Sequence, residues 1–180
     1  MRFLRRLLTG LVAVIALLVI IGMVLPREVA VTRSIVIDAP AEAIFPHIND
    51  LEAGEAWSPW LGRDPEAVLT YGEIAEGEGA TMTWSSEHPQ VGSGSSEIIE
   101  VLENEFIAVA LDFGDMGSAD ATWYLNETDG GATEVTWGFA TDMGAGPAGR
   151  WMGLMMDRWV GADYQLGLEN LKALVEEGGT

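Results

Sequence analysis

The chain has 180 residues, 48% of them hydrophobic, which is material for one domain and an appendage. Its net charge of −19 is unevenly spread: Arg2, Arg5 and Arg6 precede residue 7, whereas from Arg27 onward 6 basic residues face 28 acidic ones, a formal −22. That surface repels phosphate backbones and anionic headgroups, which excludes nucleic acid as a partner. With no cysteine and only His47 and His88, thiolate and histidine metal sites are excluded too, and no metal or cofactor is expected.

Residues 7–25 contain no charge and at about 1.5 Å per residue span about 28 Å, close to the hydrocarbon thickness of a bilayer. The apolar run exceeds a usual signal core, and Pro26, Arg27 and Glu28 follow it without a small-x-small cleavage pattern. Residues 1–26 are therefore read as an uncleaved signal anchor. The arginines ahead of it place the N-terminus in the cytoplasm and the domain outside, in the periplasm or extracellular space.

The domain is expected over 29–177. VAVTRSIVID alternates as a strand, and Asp38-Ala39-Pro40 is positioned to open a short helix in which Asp38 can cap. A second short helix ends at Trp57, and Trp57 and Trp60 are read as fixing the corner that follows. Six strand-like stretches then succeed one another across turn-like separators, which demands an antiparallel meander. Alternation groups Met82 with Trp84, then Val109 with Leu111 and Phe113, then Trp123 with Leu125, then Val135 with Trp137. The final stretch, 149–177, reads as a long amphipathic helix with Met152, Met156, Trp159, Leu166 and Leu174 on its apolar face. Asp163 and Asn170 lie inside that face as polar groups either satisfied by the backbone or roofing a cavity, with Gly167 between them where no side chain fills the space. The order strand, two short helices, six strands, long helix defines an α+β domain with helices on one sheet face.

This order resembles the SRPBCC superfamily, in particular its polyketide cyclase/dehydrase branch, related to StAR-type lipid-transfer domains. The resemblance runs through VTRSIVIDAPAEAIFPHIND, AWSPW, GEGATMTWSS, VGSGSSEIIE, FIAVALDFGDMGSADATWYL, GGATEVTWGF and MMDRWVGADYQLGLENLKALVEE, about residues 29 to 176. It implies a helix-grip fold: a curved antiparallel sheet of about seven strands wrapped around the C-terminal helix, with an apolar cavity between them. It leaves the function wide, from lipid carriers to aromatases and cyclases.

The tryptophans predicted on inward faces, Trp84, Trp123, Trp137 and Trp159, offer broad contact to a sterol, acyl chain or polycycle, or else form the core. Met152, Met155 and Met156 are either an adaptable lid or ordinary packing. The candidate binding set is Met82, Trp84, Val109, Leu111, Trp123, Val135, Trp137, Met156, Trp159, Asp163 and Asn170. No Ser-His-Asp order, paired carboxylates or phosphate loop is visible, and Asp112, Asp115 and Asp120 do not follow a calcium-loop pattern. Asp163 is the best acid–base candidate ahead of Glu87 and His88, and no catalytic residue is assigned. The leading expectation is a membrane-anchored domain that binds or transports a hydrophobic small molecule or lipid. The alternatives are a cyclase or dehydratase acting on an aromatic or polyketide-like substrate, and an interaction module whose interior is filled by its own side chains.

Overall fold

The computed structural model describes residues 2–178. Helix α1, Arg2–Val24, is followed after three residues by strand β1, Glu28–Ile37. Two four-residue helices, α2 (Ala41–Ile44) and α3 (Pro46–Asn49), and a 3-10 turn, Ala53–Ala56, lead into the meander. Its strands are β2 (Val68–Tyr71), β3 (Thr81–Ser85), β4 (Ser93–Leu102), β5 (Phe106–Asp112), β6 (Ser118–Glu127) and β7 (Thr133–Asp142), and helix α4, Pro147–Gly178, closes the domain. All seven strands form one antiparallel sheet in the order β1-β7-β6-β5-β4-β3-β2, as short turns require. The α+β helix-grip architecture inferred from the sequence is the architecture found.

Two local readings change. Pro40, not Asp38, stands at the start of α2 and has no side chain to cap it; the Ala41 amide donates to the Glu127 carboxylate of β6 at 3.4 Å, and the Asp38 amide donates to Glu176 at the far end of α4. The short helix expected after Asp38 is divided in two, and Pro46 starts the second piece, its missing N–H falling where a helix needs none.

Directly paired residues in neighbouring strands share a face, so the register lays the concave side of the sheet out in rows. One row carries Trp123 and Trp137; the next carries Ile98, Val109, Ala121, Phe139 and Val31. A third carries Tyr71, Met82, Ser96, Leu111, Ala119, Thr141 and Val29, and a fourth begins with Leu69, Trp84 and Gly94. The third and fourth rows lie at the end of the sheet where β1 enters from α1.

Helix α4 runs parallel to β1, away from α1: Gly153 lies on Val29, Gly161 on the Arg33 guanidinium, and Glu176 reaches Asp38. Its sheet-facing side is Gly153, Gly161, Tyr164, Gly167, Leu168, Leu171 and Val175, all buried. The side its hydrophobic periodicity indicates is covered only in part: Met156 and Leu174 are half-buried against the core. Met152, Trp159 and Leu166 are exposed, because the helix approaches the sheet through glycines, which let its backbone come close and register no hydrophobicity. Gly167 is no gap: a β-carbon there would stand 2.8 Å from Trp137 Cζ3 and 3.3 Å from Pro59 Cδ.

At the α1 end, Arg27 pairs with Asp142 at 2.5 Å. The hydrogen bond from that guanidinium holds the Asp142 carboxyl below the ordinary carboxylate range. Its contribution is present above the ordinary carboxylate pKa and is lost as pH falls through the lowered one.

Candidate functional site

The concave face divides into a filled half and a half-open one. In the filled half, Trp137 stacks on Trp123 at 4.2 Å between ring centroids and on Tyr164 at 3.7 Å. Trp57 sets its edge against Trp123 and Trp137, and Trp60 sets its edge against Trp137 and Tyr164. Such offset and edge-on pairs are worth about 0.5–1.5 kcal/mol each beyond the area they bury. Trp57 and Trp60 are thus core residues more than a corner; the Trp57 indole also donates to the His47 carbonyl at 2.8 Å, tying α3 to the interior. Alternation in β6 and β7 puts Trp123 and Trp137 opposite each other, and Tyr164 completes the stack because Gly161 and Gly167 on the same side of α4 let it descend.

The half-open end is built by β3, β4 and β5. Met82, Trp84, Leu111 and Phe113 are half-buried, and Trp84 meets Phe113 edge-on at 5.9 Å. The Trp84 ring lies over its strand partner Gly94, where a β-carbon would sit 2.5 Å from the Asp112 carbonyl oxygen and 2.6 Å from Trp84 Cζ2. Gly94→Val is expected to displace both the ring and the β4–β5 backbone and to cost at least about 1–3 kcal/mol by overpacking, read as a lowered denaturation midpoint. From α4, half-buried Met156 and Val160 pack against the core together with Leu111 and Phe113. Between Met82 and Leu111 in the same row stands Ser96, 6% exposed, whose hydroxyl has no hydrogen-bond partner among the described residues. Trp137 Nε1 is a second buried, unpartnered polar atom on the concave face. A buried donor without a partner costs about 1–3 kcal/mol; Trp137 Nε1 lies inside the filled half, so Ser96 Oγ is the one of the two that a molecule at the half-open end could meet with a hydrogen bond.

The eleven residues singled out in the sequence therefore do not form one site. Met82, Trp84 and Leu111 come to the half-open end, with Val109 buried one row deeper, and Met156 is half-buried on α4 against the core. Trp123 and Trp137 belong to the aromatic stack, and Val135 is wholly buried in the core. Trp159 is 50% exposed on the outer side of α4. Asn170 donates to the Trp57 carbonyl at 3.1 Å, a structural link between α4 and the loop that carries Trp60. Asp163 takes both terminal nitrogens of Arg63, a residue the sequence reading did not single out. That bidentate pair clamps the loop over α4 and raises the Arg63 pKa through its hydrogen bond to Asp163. Arg63→Met is expected to cost on the order of 2 kcal/mol, the worth of hydrogen bonds to a charged group, measured in urea. Glu87 is exposed and the His88 ring accepts from the Gln90 amide in a loop, so neither is placed for acid–base work on the concave face. Ser96 was legible through its alternation with Ile98; Phe113 was legible too, but Arg63 and Tyr164 are joined to the site only by tertiary packing.

Two open recesses, about 620 and 860 Å³, lie at the opposite end of the domain, the first between Asp38 and Glu176 and the second around Glu100–Phe106 and Tyr124–Glu127. Carboxylates on their walls make them poor hosts for an apolar molecule.

Residues 28–176 match the sequence profile of the family described as polyketide cyclase/dehydrase and lipid transport. The chain belongs to that family. No curated protein matches it. Among solved structures, it is similar to the Zhui aromatase/cyclase from Streptomyces sp. R1128, with 14% identity, TM-score 0.65, and 85% of this chain and 96% of that one covered. It is also similar to protein SA2116 from Staphylococcus aureus (8% identity, TM-score 0.64, 84% and 96% covered) and to protein CV1439 from Chromobacterium violaceum (22% identity, TM-score 0.53, 84% and 99% covered). At these identities the likeness is one of fold. Family membership supports a hydrophobic-ligand or cyclase-type role.

Proposed function

We propose that this member of the family is a membrane-anchored binding domain for a hydrophobic small molecule or lipid, held at the β3–β5 end of the concave face. The observation that carries this reading is the third row of the sheet. There a buried hydroxyl with no partner among the described residues, Ser96 Oγ, stands between the flexible Met82 and Leu111, with the Trp84–Phe113 pair in the neighbouring row. An apolar wall with one or two convergent polar groups suits a ligand that is mostly hydrocarbon with a single oxygen function. The aromatic stack behind it serves as the rigid floor, and the methionines provide walls that can be repacked.

The anchor reading draws on α1 itself, which is long and apolar enough to cross a bilayer. It draws also on how α1 is held. The Trp151 indole donates to the Leu18 carbonyl at 3.0 Å, Arg150 donates to the carbonyls of Met23 and Leu25, and Gly22 is buried against Pro147 and Trp151. A segment destined for removal has no use for so many contacts with the mature domain. With arginines leading it, α1 places the N-terminus in the cytoplasm and the ligand end just outside the bilayer. A cyclase-type reaction is the second reading, supported by the family description; Asp163 is ill suited to serve it as acid or base, being committed to Arg63.

Native mass spectrometry of the full chain released from detergent tests the proposal. A population carrying a bound apolar molecule is expected, and the bare chain mass alone, from membranes of the native host, would contradict it.

A further inference from the structure

The rim of the domain around the α1 junction exposes apolar side chains that the fold leaves uncovered. In the first four turns of α4, Met152, Leu154, Met155 and Trp159 are all exposed. Two charged residues share this stretch, Asp157, which pairs with Arg33, and exposed Arg158, whereas farther along Gln165, Glu169 and Lys172 make the outer side polar. At the same end of the sheet, the turn between β5 and β6 presents Met116, 76% exposed, at its tip. These turns sit at a defined depth. Leu18, whose carbonyl receives the Trp151 indole, lies seven residues before Leu25. At about 1.5 Å per residue that is about 10 Å down the helix, more than the roughly 5–7 Å of headgroup region on one side of a bilayer. An α1 that crosses the membrane therefore carries the start of α4 down with it.

We infer that this rim, Met116 together with Met152, Leu154, Met155 and Trp159, docks on the neutral-lipid interface of the bilayer that holds α1. The inference rests on the anchor reading proposed above. The continuity of the α1–α4 contact with the exposed turns selects lipid as the occupant. Asp112 and Asp115 flank Met116, and the domain is acidic throughout, so the headgroups it meets are zwitterionic rather than anionic. Since Trp84, Leu111 and Phe113 lie at this same end, the half-open part of the concave face then faces the membrane, and an apolar molecule passes between bilayer and protein with little exposure to water.

The chain has no cysteine, so single-cysteine variants of the full protein can each carry one environment-sensitive NBD fluorophore. Ile15→Cys reports the anchor, Met155→Cys and Met116→Cys the rim, and Ala173→Cys the far end of α4. In phosphatidylcholine vesicles containing doxyl-labelled lipid, labels at 15, 155 and 116 are expected to lose fluorescence and emit to the blue, and the label at 173 to do neither. An unquenched label at 15 overturns the anchor and the inference with it. A quenched label at 15 beside water-exposed labels at 155 and 116 overturns the inference and leaves the anchor standing. Disulfide cross-linking between copies of the unlabelled Met155→Cys variant, with no lipid quenching of the labelled one, would make a second copy the occupant and overturn it equally. Gly22→Leu, which prises α1 from Trp151, should reduce quenching at 155 and leave that at 15 unchanged; unchanged quenching at 155 would contradict the coupling of the two helices.

Discussion

Trp137→Ala is expected to lower the unfolding free energy by about 3–5 kcal/mol, the range for truncating a buried aromatic side chain, and to make it the most damaging single change in the interior. The ring is 5% exposed and is the common member of the stack, with Trp123 on one face, Tyr164 on the other, and Trp57 and Trp60 at its edges. Its loss removes those contacts together and leaves Gly167 of α4 facing empty space where Trp137 Cζ3 had been. Trp84→Ala, by contrast, removes a half-buried ring with one aromatic neighbour and should cost markedly less. Urea titrations of the two variants compare the filled and half-open halves directly, and equal losses would contradict the division between them.

The second large effect is expected on binding. Leu111→Arg introduces a guanidinium beside Ser96 and Ala119, on a wall with no carboxylate in its row. A charge without a partner in an apolar site costs several kcal/mol, so occupancy by an apolar ligand should fall by more than about a hundredfold at about 1.4 kcal/mol per tenfold. Because Leu111 is half-buried, the arginine can turn its head to water in the empty protein, and the fold should survive. The co-purifying molecule, quantified per mole of folded variant, gives the readout; undiminished occupancy would place the ligand elsewhere.

The fold was legible in the sequence because it rests on patterns that chain chemistry writes locally. Short turns between alternating stretches force an antiparallel meander, and β6, Ser118–Glu127, stands where its alternation places it. The orientation of α4 was not legible, for a definite reason. Its contact with the sheet runs through Gly153, Gly161 and Gly167, which give no hydrophobic signal, while Met152, Trp159 and Leu166 give a strong one on the outer side. Periodicity finds the more hydrophobic stripe, and here that stripe touches the core only through Met156 and Leu174 and is otherwise turned from the sheet. Half of the candidate site followed from strand alternation: Met82, Trp84 and Leu111 come together as their parity requires. What parity cannot supply is depth along the strand, so it grouped Trp123 and Trp137 with residues two rows away. Nor can it foresee that Arg63, a hundred residues distant, would occupy Asp163.

Where an apolar molecule sits in this domain is the central question. The full chain in phosphatidylcholine vesicles, exposed to a diazirine-bearing fatty acid and illuminated, answers it by peptide mapping of the cross-links. Adducts are expected on Met82, Trp84, Leu111, Phe113 and Met156, in addition to those that any bilayer-spanning α1 would collect, and they should disappear in Leu111→Arg. Adducts confined to α1 and the exposed rim, with none on the concave face of β3–β5, would contradict a ligand site there.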